Sequence, residues 1–390
     1  MSIVLELTAH DPLIARDGRP FGVGQGQRMR GLPWPLPSVV AGSFRTALVQ
    51  ATAGLDFTAD RPQRLLTEVA VAGVFPVHNG QLYLPAPLDA VWHPDTQKLF
   101  RATPQAISPD DGTDLPDGLQ PVMLTAQQAA DDFKAATPPA WWPWEKYVQW
   151  LTNVAVEYPS SWFTADFLGP ACRTRRDQVA LDANRGAAAE SLIFTTDNLH
   201  VGYLPRHRVS TDHRPRAFHE RFAEVTLAAR ITLANASQFS LSVPWAIWHP
   251  LGGERRLVHW QTSPQPVRGW QCPEAIAAAL ANTQRVRLIL ATPAIFRQGW
   301  KPDVVHGPLQ NAGLTLVGAS IARWKAVSGW SLAPPRGPKP IRRMVPAGSV
   351  YFFQCEKGAA AKCADLWLHA ISDSEQDQRD GFGLALWGIW

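Results

Sequence analysis

Prolines interrupt this chain at short intervals and so limit the length of its helices and strands. The sequence has 34 prolines in 390 residues, which is above the usual share of about 5%. Proline lacks a backbone N–H, clashes with the preceding turn of a helix, and is confined to edges and bulges in sheets. We therefore expect short elements joined by many loops. The length suggests two domains rather than one.

The rest of the composition is that of a globular protein, with 46% hydrophobic and 18% charged residues. No window approaches 18 consecutive apolar residues, so no membrane span is predicted. Met1–His10 alternates like a strand and does not resemble a signal peptide. The four cysteines lack the spacing of a metal site or a CxxC motif. We expect reduced thiols in a cytoplasmic protein that has no metal ion and no cofactor.

The apolar periodicity predicts an α+β fold. Alternation predicts a strand at Ser2–His10, and helical spacing after Ser38, a good N-cap residue, predicts a helix to about Gln50. Alternation from Val225 to Leu233 predicts a strand, and further elements follow it. They are a helix at Pro273–Asn282, strands at Val286–Ala291, Leu314–Trp324 and Ser349–Gln354, a helix at Gly358–Ile371 and a strand at Leu384–Ile389.

This order approximates the ferredoxin-like βαββαβ unit with one extra strand. Because the N-terminal half begins with β-α-β, we predict two ferredoxin-like (RRM-like) domains with large insertions, at 1–215 and 216–390. An arginine-rich stretch predicts a protruding β-hairpin at about 173–196. The tryptophan-rich segment Ala140–Trp150 has two interpretations, a packed cluster and a base-stacking surface, and the first is favoured.

Basic residues are concentrated in two stretches without acidic residues, although the net charge is only +4. Between Asp17 and Asp56 the basic residues are Arg19, Arg28, Arg30 and Arg45. Between Asp303 and Glu356 they are Arg323, Lys325, Arg336, Lys339, Arg342 and Arg343. Each cation that neutralises a phosphate releases a counterion, so such clusters bind polyanions. A solvated face is the alternative, but the neighbouring glycine-rich loops favour nucleic acid.

Several motifs, taken in order along the chain, resemble a known family. They are Asp11–Phe21, Leu36–Arg45, Leu82–Asp89, the hairpin Arg176–Phe194, Leu251–Arg256, Thr292–Phe296 with Gly299–Trp300, Gly329–Trp330, Gly337–Arg343 with Pro346–Tyr351, and Gly381–Gly388. The first of these looks like the opening of a RAMP-superfamily CRISPR protein, and the hairpin looks like a thumb. Together they resemble the third-subunit family of the Cmr (type III-B) CRISPR effector complex over essentially the whole chain.

The resemblance implies a non-catalytic subunit that serves antiviral defence within a ribonucleoprotein. Members of this family are built from two ferredoxin-like domains and hold the 5′ tag of the guide RNA (crRNA). They contact the large polymerase/cyclase-type subunit and a backbone RAMP subunit, and they meet target RNA only indirectly. The thumb hairpin kinks the guide near the boundary between tag and spacer.

The predicted RNA-binding residues are cations, glycines of close-approach loops and one helix start. They are Arg16, Arg19, Arg28, Arg30, Ser38, Gly42, Arg45, Arg176, Gly252, Gly253, Arg255, Arg256, Lys339, Arg342, Arg343, Gly381, Phe382 and Gly383. The helix at Ser38 is expected to present N–H groups to a phosphate. Phe21, Trp34 and Phe382 are candidates for stacking on a base, with core packing as the alternative for each.

Three other functions fit parts of the sequence. A metal-independent endoribonuclease would use histidine for proton transfer, and four histidines lie close together along the chain: His200, His207, His213 and His219. A metal-dependent nuclease would use the aspartates Asp110, Asp111, Asp114 and Asp117, which lack the fixed spacing of such sites. A pure protein scaffold would leave the basic clusters without a role.

Overall fold

A computed structural model describes residues 1–17, 27–52, 68–108, 110, 112–128, 133–162, 166–207, 217–234, 244–331 and 337–390. The strands are β1 (Ser2–Ala9), β2 (Gln27–Arg28), β3 (Ala70–His78), β4 (Gln81–Pro85), β5 (Ala90–His93), β6 (Lys98–Arg101), β7 (Thr103–Pro104), β8 (Val122–Met123), β9 (Trp141–Pro143), β10 (Glu157–Tyr158), β11 (Cys172–Asp182), β12 (Ala187–His200), β13 (Tyr203–Pro205), β14 (Phe222–Glu224), β15 (Thr226–Thr232), β16 (Ala246–Pro250), β17 (Leu257–Thr262), β18 (Arg285–Leu290), β19 (Leu314–Ser320), β20 (Lys325–Val327), β21 (Trp330–Ser331), β22 (Gly337–Pro338), β23 (Arg342–Met344), β24 (Val350–Cys355) and β25 (Ala385–Ile389).

Helices are few and short in the described ranges, as the frequent prolines predict. The α-helices are α1 (Pro37–Ala51), α2 (Trp144–Thr152), α3 (Phe218–Arg221), α4 (Glu274–Ala281) and α5 (Glu375–Arg379). Short 3₁₀ turns lie at Ser160–Trp162, Gly253–Arg255, Gly307–Leu309 and Ala359–Cys363. The fold is therefore mixed α/β, and its sheets are mostly antiparallel.

Two sheets dominate the molecule and share one strand arrangement. The first has the order β16-β17-β1-β15-β3-β4-β9, and the second has the order β19-β24-β18-β25. Each sheet contains four neighbouring strands with the same arrangement. If these four are numbered 1 to 4 along the chain, their order across the sheet is 4-1-3-2. These are β17-β1-β15-β3 and β25-β18-β24-β19, with every adjacent pair antiparallel.

The first sheet takes strands from both sides of the predicted boundary at 215/216. Its strands β15, β16 and β17 follow that boundary, and the second sheet begins only at Arg285. The sheets thus change over between Thr262 and Arg285. The division into two ferredoxin-like domains stays a prediction.

Some predicted helix bounds are wrong, for local and for tertiary reasons. Helix α1 begins at Pro37, with Leu36 and not Ser38 at the N-cap, because proline suits the first helical position. The predicted helix Gly358–Ile371 is a 3₁₀ turn followed by irregular chain. There Leu368 has a φ of 50° and its N–H donates to Ala385 O at 2.8 Å, so pairing with β25 replaces the helix.

The tryptophan-rich segment is part of the core, which confirms the packed interpretation. Trp142 and Trp150 are 0% exposed, and Trp142 lies edge-on to Trp150 at 5.3 Å between ring centroids. Below them, Arg287 of β18 pairs with Asp89 at 2.5 Å, both fully buried. The guanidinium of Arg101 lies 4.2 Å from the Trp150 ring centroid. Since Asp89 precedes β5 and Arg287 belongs to the second sheet, this cluster joins the two parts of the chain.

Candidate nucleic-acid interface

The arginine-rich segment forms a long antiparallel hairpin, as predicted. Strands β11 and β12 pair from Cys172↔His200 to Asp182↔Ala187. A turn closes the hairpin where Gly186 N donates to Asp182 O at 2.9 Å. Most side chains along β11 are exposed. The hairpin therefore projects from the body of the protein.

A segment from the N-terminal loop runs along the base of this hairpin. Strand β2 pairs in parallel with β12, with Arg28 opposite Thr195. Gly31 N donates to the Asp197 carboxylate at 3.3 Å. The chain then doubles back, since Asp17 N donates to Arg30 O at 3.1 Å. Arg16, Arg28 and Arg30 are brought beside the hairpin by this pairing.

The loop between β16 and β17 completes the hairpin base. Gly253 N donates to Ile14 O at 3.0 Å, and a Cβ on Gly252 would lie 2.5 Å from the same oxygen. With a φ of 81°, Gly252 has a backbone conformation that only glycine adopts easily. Gln178 of β11 donates to the Glu254 carboxylate at 3.0 Å. These two glycines seat the loop against the N-terminal segment.

Five of the predicted RNA-binding arginines are exposed around this base, and we call them the hairpin-base surface. They are Arg16, Arg28, Arg30, Arg176 and Arg255. None of them has an ion-pair partner among the residues that the structure describes. The neighbouring Arg256 differs, because it donates to Glu254 at 2.7 Å and to Asn198 at 3.3 Å. The fold thus gathers five free cations from four separate stretches of sequence.

Two other predicted RNA-binding arginines are bound by buried aspartates. Arg45 pairs with Asp380 at 2.5 Å, with side-chain exposures of 12% and 7%, and also donates to Val69 O at 2.7 Å. Arg342 forms two hydrogen bonds with Asp377, at 2.7 and 2.8 Å. These bonds raise the pKa of Arg342. Both cations are therefore neutralised by the segment that contains α5.

The glycine-containing loop Gly381–Gly383, which was predicted to contact RNA, lies in the interior of the protein. Phe382 is 0% exposed, so it fills the core and is not placed to stack on a base. Gly381 has a φ of 88°, and a Cβ there would collide with Val71 O. Thr292 donates to Gly381 O at 2.7 Å. This motif locks the end of the second sheet against β3.

The other two predicted RNA-binding residues of the C-terminal basic stretch lie at two small hairpins, β20 with β23 and β21 with β22. Arg343 and Lys339 are exposed, and the Arg343 guanidinium lies 4.8 Å from the Trp324 ring centroid. Trp324 and Trp330 are 48% and 63% exposed. The sequence analysis named neither tryptophan as an RNA-binding candidate, although their place in a basic run without acidic residues was a usable signal.

An apolar cluster links the hairpin base to these small hairpins. Leu32 and Leu36, which follow Arg30 along the chain, pack in one cluster with Val327 and Met344. Beside them lies a cavity of about 210 Å³, with Trp34 in its wall. Trp34 is half-buried and donates to Val74 O at 2.9 Å. The two exposed basic regions therefore flank the start of α1.

The start of α1 offers less to a phosphate than predicted. Pro37 has no N–H, and the N–H groups of Val39 and Val40 both donate to Leu36 O. Ser38 is left as the residue of this turn whose N–H has no such bond. Gly42 is exposed, and a Cβ there would meet nothing within 4 Å.

The histidines of the alternative nuclease site lie on different elements. His200 ends β12 and contacts Thr174 at 3.0 Å, whereas His207 is half-buried against Trp92, with burial lowering its pKa. His219 is exposed on α3. Within the described ranges, no three His, Cys, Asp or Glu side chains are grouped to hold a metal ion. Arg19, Phe21, Asp111 and His213 lie outside those ranges.

None of the helices in the described ranges is long and apolar enough to span a bilayer. Two solved structures of the type III-B Cmr-beta complex bound to cognate target RNA, one also with AMPPnP, contain chains similar to this one. They share 12% and 11% identity, cover 90% of this chain and 86% of theirs, and have TM-scores of 0.46 and 0.45.

A search of the curated proteins gives no match. The family model for the CRISPR-associated protein Cas_Cmr3 matches residues 5–390. That range is nearly the whole chain, and it confirms the resemblance that the ordered motifs indicated. The chain belongs to the Cas_Cmr3 family of CRISPR-associated proteins.

Proposed function

We propose that this protein is a non-catalytic, guide-RNA-binding subunit of a type III-B CRISPR effector complex and anchors the 5′ tag of the crRNA. The observation that carries the proposal is the hairpin-base surface. It places five exposed arginines together without ion-pair partners in the described part of the chain. A set of unneutralised cations attracts a polyanion and releases its counterions.

The hairpin-base surface suits a single-stranded RNA that changes direction. Arg16, Arg28 and Arg30 lie on one side of the hairpin base, and Arg255 lies on the loop that packs against Ile14. Arg176 is on the hairpin itself. Phosphate contacts to such a set fix the path of the strand, while the bases stay free to be read.

The hairpin is the proposed thumb. Its strands pair from Cys172↔His200 to Asp182↔Ala187 with one irregularity between Val179 and Leu181, and the side chains of β11 are largely exposed, so the hairpin can stand between successive nucleotides. Replacing 180–192 with an Asn-Gly turn keeps the pairing of Val179 with Ile193. We expect the shortened protein to fold normally and to seat the guide differently, as measured by nuclease protection of the tag. An unchanged protection pattern would remove the thumb from the proposal.

The fold also supports the proposed place in a complex. The shared strand order of the two sheets is that of a pair of ferredoxin-like units, which we propose as the domain plan. In this proposal the subunit works in the cytoplasm and bridges the large polymerase/cyclase-type subunit to a backbone RAMP subunit. It meets target RNA only through the guide and serves antiviral defence.

The test measures binding of guide RNA with an intact or a scrambled tag, by the protein alone and with its neighbouring subunits, across a salt series. We expect affinity that depends on the tag and falls with salt. The triple variant Arg16→Ala/Arg28→Ala/Arg30→Ala is expected to bind about a hundredfold more weakly, with a salt slope lower by about 2. Arg268→Ala is the matched control, since Arg268 is exposed but pairs with Glu145 at 3.0 Å.

Equal binding of both RNAs would mean that the protein holds only the backbone of the guide. No binding in the assembled complex would overturn the proposal. A parallel incubation without divalent metal tests the absence of catalysis. We expect intact RNA with the wild type, whereas cleavage that His207→Ala abolishes would make the protein an endoribonuclease.

A further inference from the structure

One end of the first sheet, formed by β16, β17 and β1, has two unlike faces. One face packs on α1, where Trp260 lies 5.5 Å from Phe44 between ring centroids. His249 contacts the Gln50 side chain at 3.2 Å, and Ser43 donates to Pro250 O at 2.7 Å. Because side chains alternate along a strand, the neighbours of these residues lie on the opposite face.

The opposite face carries an exposed indole between two imidazoles. The register places Trp248 opposite His259, and His259 opposite Thr8. Trp248 is 56% exposed. Its ring lies 4.8 Å from that of His259, tilted by 36°, and 5.7 Å from that of His10, edge-on at 86°. We call His10, Trp248 and His259 the aromatic platform.

The platform adjoins the hairpin-base surface. The loop that joins β16 to β17 carries the exposed Arg255. His10 N donates to Leu257 O at 3.0 Å, and the chain from His10 leads within six residues to Arg16. An RNA strand bound at the arginines of the hairpin-base surface therefore has a short path to Trp248.

We propose that the aromatic platform stacks an unpaired base of the RNA that the hairpin-base surface holds. This inference rests on the proposed function, and it adds a stacking site to a surface so far described only by its charges. A sheet that presents an aromatic ring offers a flat surface to a base, and stacking accepts any base because every base has a π-face. The two imidazoles hold the indole in one orientation, which lowers the entropy lost on binding.

The surroundings favour RNA over a protein partner. The same face of this sheet end carries the polar residues Thr8 and Gln261, and Leu257, at 39% exposure, is its exposed large aliphatic residue. Protein interfaces centre on an anchor in a well-packed pocket from which water is excluded. A stacked base needs one exposed ring, and Arg255 on the loop between β16 and β17 belongs to the adjoining hairpin-base surface.

The test uses the full chain assembled with its complex and a set of guide RNAs, each with one abasic nucleotide at a successive position. For the wild type, we expect one position beyond the arginine contacts where base removal weakens binding roughly tenfold. Trp248→Ala should weaken binding of intact RNA by the same factor and lose the response at that position. Trp248→Phe should restore most of it. Phe218→Ala, at 54% exposure on α3, is the aromatic control and should change nothing.

The outcomes separate this inference from the proposed function. If the arginine triple variant weakens binding but Trp248→Ala changes neither the affinity nor the abasic profile, the platform is not a stacking site and the proposed function stands. If neither variant affects RNA binding, both fall. If Trp248→Ala leaves RNA binding intact but lowers recovery of the other subunits, the face is a protein interface and the inference is overturned. Thermal melting of each variant checks that it is folded.

Discussion

Arginines at the hairpin base are exposed and have no ion-pair partner in the described part of the chain, whereas Arg45 and Arg342 pair with aspartates near α5. Along the sequence, Arg28 and Arg30 lie in the same stretch without acidic residues as Arg45, and Arg342 lies in the other such stretch. In space, the acidic segment from Asp373 to Asp380 closes on one group only. A basic run therefore predicts a binding surface only when no distant carboxylate folds back onto it.

The acidic segment neutralises cations from three distant parts of the chain. Asp380 pairs with Arg45, Asp377 pairs with Arg342, and the Asp373 carboxylate lies 3.9 Å from the Arg297 guanidinium. These contacts connect α1, the small hairpins and the chain that follows β18 at one place. The same chemistry that predicts RNA binding is used here to hold the two sheets together.

The largest expected effect is on the stability of the protein when the pairing of Arg45 with Asp380 is broken. Arg45→Met leaves the Asp380 carboxylate, at 7% exposure, without its cation. Removing one partner of a buried pair costs about 3–5 kcal/mol, and we expect a loss of that size in the free energy of unfolding, measured by urea denaturation. Arg268→Met breaks an exposed pair and should cost less than about 1 kcal/mol. Weaker RNA binding at unchanged stability would instead make Arg45 part of the interface.

The two neighbouring arginines of β23 provide a matched pair. Arg343 is exposed beside Trp324, whereas Arg342 is bound by Asp377. We expect Arg343→Ala to weaken guide binding about fivefold, near 1 kcal/mol, and Arg342→Ala to have a smaller effect on affinity. Binding titrations at one salt concentration measure both. The reverse ranking would show that RNA displaces Asp377.

Removing the charge of Asp377 should turn Arg342 from a paired arginine into one that is free to bind RNA. Asp377 is 4% exposed at its side chain, and Arg342 is 45% exposed, so Asp377→Asn leaves a cation that can turn to solvent. We expect RNA affinity to rise two- to threefold and the salt slope to steepen by about 0.7, the value for one further phosphate contact on a single strand. An unchanged slope would place Arg342 away from the path of the RNA.

The smallest expected effect tests the exposed side of α1. Gly42 lies inside the helix with open space beside it, so Gly42→Ala should stabilise the protein by about 0.5–1 kcal/mol. Thermal melting without RNA measures that gain. If the guide backbone packs against Gly42, the added methyl group should weaken binding of tagged RNA, and unchanged affinity would remove Gly42 from the site.

Local signals determined much of this architecture from the sequence. Alternation placed β1, β15, β18, β24 and β25 correctly to within one or two residues, because a half-buried strand repeats every two residues. The hairpin around Asp182 and the buried tryptophans were also readable. Family membership followed from the order of motifs that are individually weak.

Only the tertiary structure decided which of these residues are free to act. The pairing of Arg45 with Asp380 spans 335 positions of sequence, and no local pattern reports so distant a contact. The same is true of Phe382, whose glycine neighbours suggested an exposed loop but whose ring fills the core. Residue type and spacing fix what a side chain is able to do, whereas burial and pairing, which depend on long-range packing, fix whether a ligand can reach it.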